Sequence, residues 1–293
     1  MLSASRFQLL TLCLLLAAAG EARAQATDRI AFNGQALWLS GGNVAWVDFA
    51  RDIGPGATRL DRFEEAFADV HAHGGNTMRL WLHTTGAVTP AWDGNRVVGP
   101  GEGAIEDLRA ILDLAWRYEV GLQLCLWSFD MLRISNGPAV TDRAHALLTD
   151  PALLQTYIDH ALVPMVDSLK GHPAIVAWEI FNEPEGMSNE YGWSFNRKVP
   201  MAAIQRFVNR TAGAIHRTDP DAQVTNGAWS FHVLWDGTPG KAAPPPAEPD
   251  TATLRHAQQA LSAKYRHDFE AGLLRRSLRT EAPRTAARTY RYL

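Results

Sequence analysis

The sequence predicts an α/β fold made of the first five βα units of a (β/α)8 barrel. Apolar runs of strand length alternate with longer segments of helical periodicity, the pattern of a parallel sheet covered by helices. At 293 residues the chain is long enough for a complete barrel. However, residues 237–293 contain no Val, Ile or Trp, whereas buried parallel strands are rich in branched apolar residues. We therefore expect an incomplete barrel followed by an atypical C-terminal tail.

Each element follows from the spacing of apolar residues and from the residues that interrupt them. The predicted strands are 36–40, 77–83, 121–127, 174–181 and 223–226, and the predicted helices are 59–73, 105–118, 151–170 and 201–217. In the first helix, Phe63, Phe67 and Val70 lie at helical spacing, and Gly74 and Gly75 end it. Active-site groups of such barrels cluster at the C-terminal ends of the strands, so the residues that follow each run are the candidate site residues.

The N-terminal residues 1–24 have the pattern of a secretory signal. Arg6 supplies the positive charge, residues 9–19 are mostly apolar, and Ala22 and Ala24 form a small-x-small cleavage site. The apolar stretch is too short to span a bilayer as a retained anchor. We therefore expect a secreted or periplasmic protein that is free of the membrane after signal cleavage, with residues 25–236 forming the barrel region.

The C-terminal residues 237–293 differ from the rest of the chain in charge. They carry ten basic and five acidic side chains, and a run of three prolines at 244–246 indicates a linker. Asp250 could cap a helix whose apolar stripe is Leu254, Ala257, Leu261 and Tyr265. Three alternatives stay open for this tail: a helical appendage, a disordered segment, or the product of a shifted reading frame.

Charge and cysteine content exclude several classes of function. The 28 basic and 31 acidic residues give a net charge of −3, which offers no electrostatic footprint for nucleic acid. Cys13 lies in the signal, and Cys125 lies in an apolar run, where a buried inert thiol is expected. His71 and His73 close a helix, where histidine interacts favourably with the helix end, so no metal site is expected. No glycine-rich phosphate loop is found; we expect no cofactor and a monomeric protein.

The fourth predicted strand ends in a motif that can carry chemistry, Trp-Glu-Ile-Phe-Asn-Glu-Pro at 178–184. Hydrolysis of a glycosidic bond needs one carboxylic acid to protonate the leaving oxygen and a second carboxylate as nucleophile or base. Glu183, at the tip of the strand, has the position and type of this acid/base, and Asn182 suits a hydrogen bond to a sugar 2-hydroxyl group. The structural alternative is that Glu183 caps a surface turn that Asn182 stabilises.

Four segments, taken in order, resemble a known family. They are SGGNVAW at 40–46, GGNTMRLWLH at 74–83, CLWSFD at 125–130 and HPAIVAWEIFNEP at 172–184. Together they resemble the glycoside hydrolases of family five, and most of all the endo-β-mannanase branch, over about residues 38–229.

The resemblance implies a TIM barrel of glycosidase type and a retaining double displacement. It implies Glu183 as acid/base, Asn182 as its sugar-contacting neighbour and Arg79 as a residue that orients the nucleophile. It also implies a secreted hydrolase of β-1,4-linked polysaccharide, with mannan as the first substrate and cellulose or another β-glucan as the alternative.

The sequence departs from the family pattern in its second half. The family has a His-x-Tyr after strand six, the nucleophilic Glu at strand seven and a Trp at strand eight, and none of these is matched here. Glu270 and Glu281 are the only glutamates late enough, and neither lies in a strand-like run. The nucleophile is therefore unassigned, and Arg79 is expected either to pair with Glu179 or to stay solvated.

A retaining site needs its two carboxyl groups about 5 to 5.5 Å apart. Without an assigned nucleophile, we expect this chain to be weakly active or inactive. Two alternatives stay open: a catalytically inactive sugar-binding remnant, and a truncated, poorly folded product.

Aromatic residues at the strand ends predict a sugar-binding cleft, because pyranose rings present apolar faces to aromatic side chains. Four tryptophans fall at or just past the end of a predicted strand: Trp46, Trp81, Trp127 and Trp229. His83 after the second strand and Asp130 after the third are further candidate substrate contacts. Core packing is the alternative for each tryptophan, and a structural role is the alternative for His83 and Asp130.

Overall fold

The computed structural model describes residues 30–32, 35–36, 38–56 and 58–229. The predicted signal at 1–24 and the tail at 237–293, with Glu270 and Glu281, lie outside the described residues. Those predictions stay predictions.

The core of the fold is a five-stranded sheet in which every strand is parallel to its neighbour. The strands are β1 (Gly41–Asn43), β2 (Thr77–Thr84), β3 (Gly121–Ser128), β4 (Ile175–Asn182) and β5 (Val224–Gly227). They lie in the order β1-β2-β3-β4-β5, so each strand pairs with the next along the chain. Consecutive parallel strands with intervening helices are the first part of a (β/α) barrel, which confirms the predicted fold class.

Among the described residues, six α-helices connect or flank the strands. They are α1 (Leu60–Ala72), α2 (Ala104–Arg117), α3 (Pro138–Thr149), α4 (Pro151–Tyr157), α5 (Val163–Leu169) and α6 (Met201–Thr218). A π-helical turn, Ile158–Leu162, joins α4 to α5, so the predicted helix 151–170 is one helical region with a local change of winding. No helix within the described ranges is long and apolar enough to cross a membrane.

The two faces of the sheet have different chemistry. The side chains that pack against the helices are apolar: Met78, Leu80, Leu82, Leu122, Leu124, Leu126, Trp178 and Ile180. Side chains alternate across a strand, so the residues between them project to the opposite face. There Glu179 accepts hydrogen bonds from both Arg79 and Gln123. This polar inner face leads towards the site at the C-terminal ends of the strands.

The predicted first strand was placed too early in the chain. The strand that joins the sheet is Gly41–Asn43, whereas Gln35–Ala36 pairs with Ala31–Phe32 in an antiparallel hairpin. A Cβ atom on Gly41 would lie 1.7 Å from the backbone oxygen of Thr77, so only glycine permits this approach. Gly41 and Gly42 directly follow the predicted strand 36–40, whereas in the structure they form the strand.

Two further elements were not predicted from the sequence. Helix α3 begins at Pro138, directly after Gly137, and a second hairpin pairs Ala91–Asp93 with Arg96–Gly99. Helix α3 follows β3 and the hairpin follows β2, in segments for which no helix or strand was predicted.

Candidate active site

Glu183 directly follows β4 and has an uncommon backbone conformation. Its φ of 50° and ψ of 51° lie in the left-handed region, which non-glycine residues rarely adopt and which is enriched at functional sites. Its N–H donates a hydrogen bond of 2.6 Å to the carbonyl oxygen of Gly227 on β5. Strand pairing therefore fixes the backbone from which the carboxyl group projects.

The environment of Glu183 favours its protonated form. Burial raises the pKa of its carboxyl group, the positive charge of Arg79 lowers it, and the negative charges of Glu185 and Asp130 raise it further. The net effect is a raised pKa. A carboxyl group that keeps its proton nearer to neutral pH is suited to act as a general acid.

Arg79 on β2 is paired with Glu179 on β4. Its Nε donates to Glu179 Oε2 at 2.6 Å, and its Nη2 donates to the other carboxylate oxygen, Oε1. Of the two alternatives for Arg79, pairing and solvation, the structure shows pairing. A two-point contact of this kind fixes the plane of the guanidinium group.

Glu179 is completely buried, and its neighbours donate hydrogen bonds to its carboxylate and leave room for it. Gln123 on β3 donates from Nε2 to Glu179 Oε2 at 2.6 Å. A Cβ atom at position 227 would lie 2.1 Å from Glu179 Oε1, so glycine in β5 leaves the room that the carboxylate occupies. Three neighbouring strands thus contribute to one buried polar cluster.

Asn182 connects this cluster to Glu183. Its Oδ1 accepts a hydrogen bond of 3.0 Å from Arg79 Nη2. With the oxygen engaged in this way, the amide group of Asn182 is left to offer its Nδ2 donors to a ligand. This orientation fits the hydrogen bond to a sugar hydroxyl group that the sequence predicts for Asn182.

Asp130 holds the loop after β3 in place. Its Oδ2 accepts a hydrogen bond of 2.8 Å from Ser128 Oγ, and its Oδ1 accepts one of 2.7 Å from Arg133 Nε. Both carboxylate oxygens of Asp130 therefore have partners in the loop or at the end of β3. These bonds favour the structural role over the substrate contact. Asp130 acts on Glu183 through its charge.

For His83 and Trp127 two roles were left open, substrate contact and structural packing, and their burial favours packing. Both are completely buried and pack against Tyr157 of α4, with ring centroids 5.7 Å and 5.3 Å away. The β2–β3 ladder shifts register between Trp81 and Thr84, next to these two residues at the ends of their strands. Burial lowers the pKa of His83 to about 3, so its imidazole is neutral.

Trp46 and Trp81 form an aromatic pair on the β1 side of the site. Their ring centroids are 5.1 Å apart at an angle of 60°. Trp46 is 41% exposed, whereas Trp81 is buried beside Ala45 and Cys125. Trp46 is therefore the exposed member of the pair, and the buried Trp81 packs against it.

Trp229 lies on the β5 side of the site and is 53% exposed. Its backbone N–H donates to Glu185 Oε2 at 3.1 Å, and its ring lies 6.2 Å from that of Trp193 in an edge-to-face arrangement. Trp193 and Phe195 were not among the predicted site residues. The alternation of aromatic residues after the catalytic motif was the signal that could have indicated them.

No nucleophile is assigned within the described part of the chain. The two carboxylates whose charges act on Glu183 are Glu185 and Asp130, and both accept hydrogen bonds from other groups. Among the same residues, no group of three His, Cys, Asp or Glu side chains could hold a metal ion.

Comparison with known proteins gave relatives of one kind. Over 226 residues the chain is 37% identical to a mannan endo-1,4-beta-mannosidase of Mytilus edulis, covering 70% of this chain and 60% of that protein. It is 35% identical over 221 residues to the protein of the same name from Cryptopygus antarcticus, covering 68% and 56%. The chain thus spans somewhat more than half of the length of these relatives. No family model matches it.

The solved structures include β-mannanases from both of these organisms. The X-ray structure of the Mytilus edulis β-mannanase superposes with a TM-score of 0.64 at 36% identity, covering 71% of this chain and 63% of that one.

Proposed function

We propose that this chain, a homologue of the mannan endo-1,4-beta-mannosidases, binds β-1,4-linked mannan and cleaves it with Glu183 as acid/base. Cellulose or another β-glucan is the alternative substrate. The chain corresponds to only part of the length of its relatives. The activity of the whole protein is therefore part of this proposal.

The observation that carries the proposal is the position of Glu183 together with the raised pKa of its carboxyl group. Its carboxyl group stands at the C-terminal end of a barrel strand, where active sites of this fold lie. Its pKa is raised by burial. In the first step such an acid gives its proton to the glycosidic oxygen, and in the second step the same group takes a proton from water.

Asn182 and Arg79 support this chemistry through a fixed set of hydrogen bonds. Arg79 is held by Glu179 and in turn holds the oxygen of Asn182. The Asn182 amide then donates to the sugar 2-hydroxyl group, an interaction that strengthens in the oxocarbenium-like transition state. In a retaining mechanism a second carboxylate attacks the anomeric carbon; no described residue is assigned this role.

A second candidate function is binding of the polysaccharide without cleavage. Glu185 and Asp130, the carboxylates whose charges act on Glu183, are both engaged in hydrogen bonds. Neither is then available as the nucleophile, and this favours binding without cleavage. The exposed ring of Trp46 would serve this function equally well.

The test is release of reducing ends from β-1,4-mannan and from cellulose by the purified full chain, compared with Glu183→Gln. Release that falls at least a hundredfold in the variant supports the acid/base role, since general acid catalysis contributes ~10²- to 10⁴-fold. Release that is unchanged in the variant overturns it. Binding of a mannooligosaccharide without any release supports the second candidate.

We also propose that the chain is exported. The basis is the charged, apolar and small-residue order of residues 1–24. Expression of the full chain with analysis of the N-terminus in the medium or periplasm tests this: a mature protein that begins at Gln25 is expected, and an intact N-terminus in the cytoplasm contradicts it.

A further inference from the structure

Glu185 is a buried acidic residue on the turn that carries Glu183, and the proposed chemistry gives it no part. The residue is only 5% exposed. Transfer of a carboxylate from water to a protein interior is costly unless hydrogen bonds or charges compensate for it. The contacts of the Glu185 carboxylate therefore indicate what this position contributes to the site.

The carboxylate of Glu185 connects the turn after β4 to the end of β5. Its Oε2 accepts a hydrogen bond of 3.1 Å from the backbone N–H of Trp229, two residues beyond the end of β5 at Gly227. The carbonyl oxygen of Gly227 accepts the 2.6 Å bond from the N–H of Glu183. The end of β5 is thus attached to the turn through the backbone of Glu183 and through the side chain of Glu185.

The turn itself is fixed by short-range hydrogen bonds. Residues Pro184–Met187 form a 3-10 helix, and the N–H of Gly186 donates to the carbonyl oxygen of Glu183 at 3.1 Å. The backbone N–H and the hydroxyl group of Ser188 both donate to the carbonyl oxygen of Glu185 at 2.9 Å. The Glu185 side chain therefore projects from an ordered backbone, which lowers the entropy cost of holding its carboxylate in one place.

Glu183 depends on these contacts because its backbone is strained. With φ at 50° it lies in the left-handed region, which a residue other than glycine keeps only where the surrounding structure imposes it. Its N–H is held by Gly227, and its carbonyl oxygen is held by Gly186. Movement of the end of β5 would break the first of these bonds and let the backbone of Glu183 relax.

The charge of Glu185 acts on the same carboxyl group. Burial is the largest cause of the raised pKa of Glu183, Arg79 on β2 lowers that pKa, and Glu185 and Asp130 raise it. Asp130, in the loop after β3, has its own counter-charge in Arg133 at 2.7 Å. Glu185 therefore affects both the position of Glu183 and its affinity for a proton.

We propose that Glu185 is a positioning residue for the acid/base: its carboxylate holds the end of β5 against the turn after β4 and thereby keeps Glu183 in its left-handed conformation. Glu185 acts through Trp229 and Gly227 and exchanges no proton with the substrate. This inference rests on the proposed function of Glu183 and adds the residue that keeps its carboxyl group in place.

Two substitutions separate the hydrogen bond of Glu185 from its charge. Glu185→Gln removes the charge but keeps a side-chain oxygen that can accept the bond from Trp229. Glu185→Met has a similar length and removes both the charge and the acceptor. Glu102→Met, at an exposed glutamate, controls for the substitution itself.

The first measurement is hydrogen exchange of the Glu183 amide in the full chain by NMR, which requires no activity. In Glu185→Met the protection of this amide is expected to fall about tenfold, because exchange follows local opening of its bond to Gly227. In Glu185→Gln and in the Glu102 control, protection should stay close to that of the wild type. The amide of Leu122, hydrogen-bonded at the opposite end of β3, is the internal reference and should not change.

Three exchange results would overturn the proposal. The first is unchanged protection of Glu183 in Glu185→Met. The second is an equal loss of protection at Leu122, because Glu185 would then stabilise the whole fold rather than position Glu183. The third is a loss in Glu185→Gln as large as in Glu185→Met, because the hydrogen bond to Trp229 would then not be what holds the turn.

The second measurement is release of reducing ends from β-1,4-mannan over a range of pH. In Glu185→Met, kcat is expected to fall about ten- to hundredfold with KM little changed, since misplacement of a catalytic group lowers the rate. Glu185→Gln should keep most of kcat. In both variants the loss of a negative charge lowers the pKa of Glu183, so the alkaline limb of kcat/KM moves to lower pH.

The two measurements distinguish the role of Glu185 from the proposed function. Altered exchange with an unchanged kcat in Glu185→Met overturns the link between Glu185 and the acid/base. A wild type that releases no reducing ends at any pH overturns the proposed function, and the exchange of the Glu183 amide still decides whether Glu185 positions it.

Discussion

Arg79 on β2 and Glu179 on β4 form an ion pair across the inner face of β3, the strand between them. Gln123 of β3 donates to the same carboxylate, so a single buried group connects three strands. Through its contact with Asn182, the pair also sets the orientation of the residue that precedes Glu183. The stability of the inner sheet and the geometry of the site therefore depend on the same few atoms.

Removal of the Glu179 charge is expected to destabilise the fold strongly. Glu179→Gln leaves the Arg79 guanidinium partly buried without its counter-charge, and breaking a buried pair from one side costs about 3–5 kcal/mol. Urea unfolding measures this loss. Asp61→Asn, which breaks the exposed Arg59–Asp61 pair, is the control and should change the stability little, because water and salt screen an exposed pair. Equal effects of the two substitutions would contradict the role of the buried pair.

Substitution by alanine is expected to cost very different amounts of stability at two adjacent glycines in β1. In Gly41→Ala the new Cβ atom meets the Thr77 backbone at 1.7 Å, so β1 must separate from β2. Gly42 has nothing within 4 Å of the corresponding position. We expect a loss of several kcal/mol for Gly41→Ala, at the upper end of single-residue effects, and a change within about 0.5 kcal/mol for Gly42→Ala. Thermal unfolding of both variants provides the comparison, and similar melting temperatures would exclude the tight β1–β2 approach.

His83 is expected to make the fold sensitive to acid. Burial lowers its pKa to about 3, whereas the unfolded chain binds a proton near the ordinary value of 6.5. Between these values the unfolded state holds more protons than the native state, so stability falls as the pH is lowered from 6.5 towards 3. The slope is at most about 1.4 kcal/mol per pH unit for one group.

The measurement for His83 is urea unfolding of the wild type and of His83→Gln at a series of pH values from 7 to 4. The variant should lose less stability over this range than the wild type does. His73→Gln serves as the control because His73 is largely exposed. A wild type and a His83 variant with parallel pH profiles would refute the assignment.

Glu183→Gln is expected to lower activity and raise stability at neutral pH. Because the pKa of Glu183 is raised, the native state holds a proton where the unfolded state has lost it, and stability falls as the pH rises through that range. Glutamine carries no charge and removes this penalty. Denaturant unfolding at pH 7 and at pH 4 should show a gain only at the higher pH, with Glu102→Gln on the surface showing neither change. A variant less stable than the wild type at pH 7 would count against the prediction.

The periodicity of apolar residues was sufficient to predict the central strands and their helices. Strands β2, β3 and β4 and helices α1, α2 and α6 lie within one or two residues of the predicted bounds, because each has a fully apolar face that packs in the core. The resemblance to endo-β-mannanases that four short segments predict is confirmed by the relatives and their shared barrel fold.

The features that were not predicted depend on contacts with another part of the chain. The glycines of β1 form a strand because of how closely Thr77 approaches, which the sequence near Gly41 does not indicate. His83 and Trp127 are buried against Tyr157, next to the register shift of the β2–β3 ladder, and period-two alternation does not predict that shift. Arg79, by contrast, was expected either to pair with Glu179 or to stay solvated, because side chains on one face of neighbouring strands must meet.

The order of the strands has a consequence for how the chain folds. Every strand of the sheet pairs with the one made just before it, so the sheet needs no strand from later in the sequence to begin forming. During synthesis, each completed βα unit can dock on the edge left by its predecessor as it emerges from the ribosome. We therefore expect the ladder from β1 to β4 to assemble vectorially, with Glu183 placed last, when β5 supplies the Gly227 carbonyl that holds its backbone.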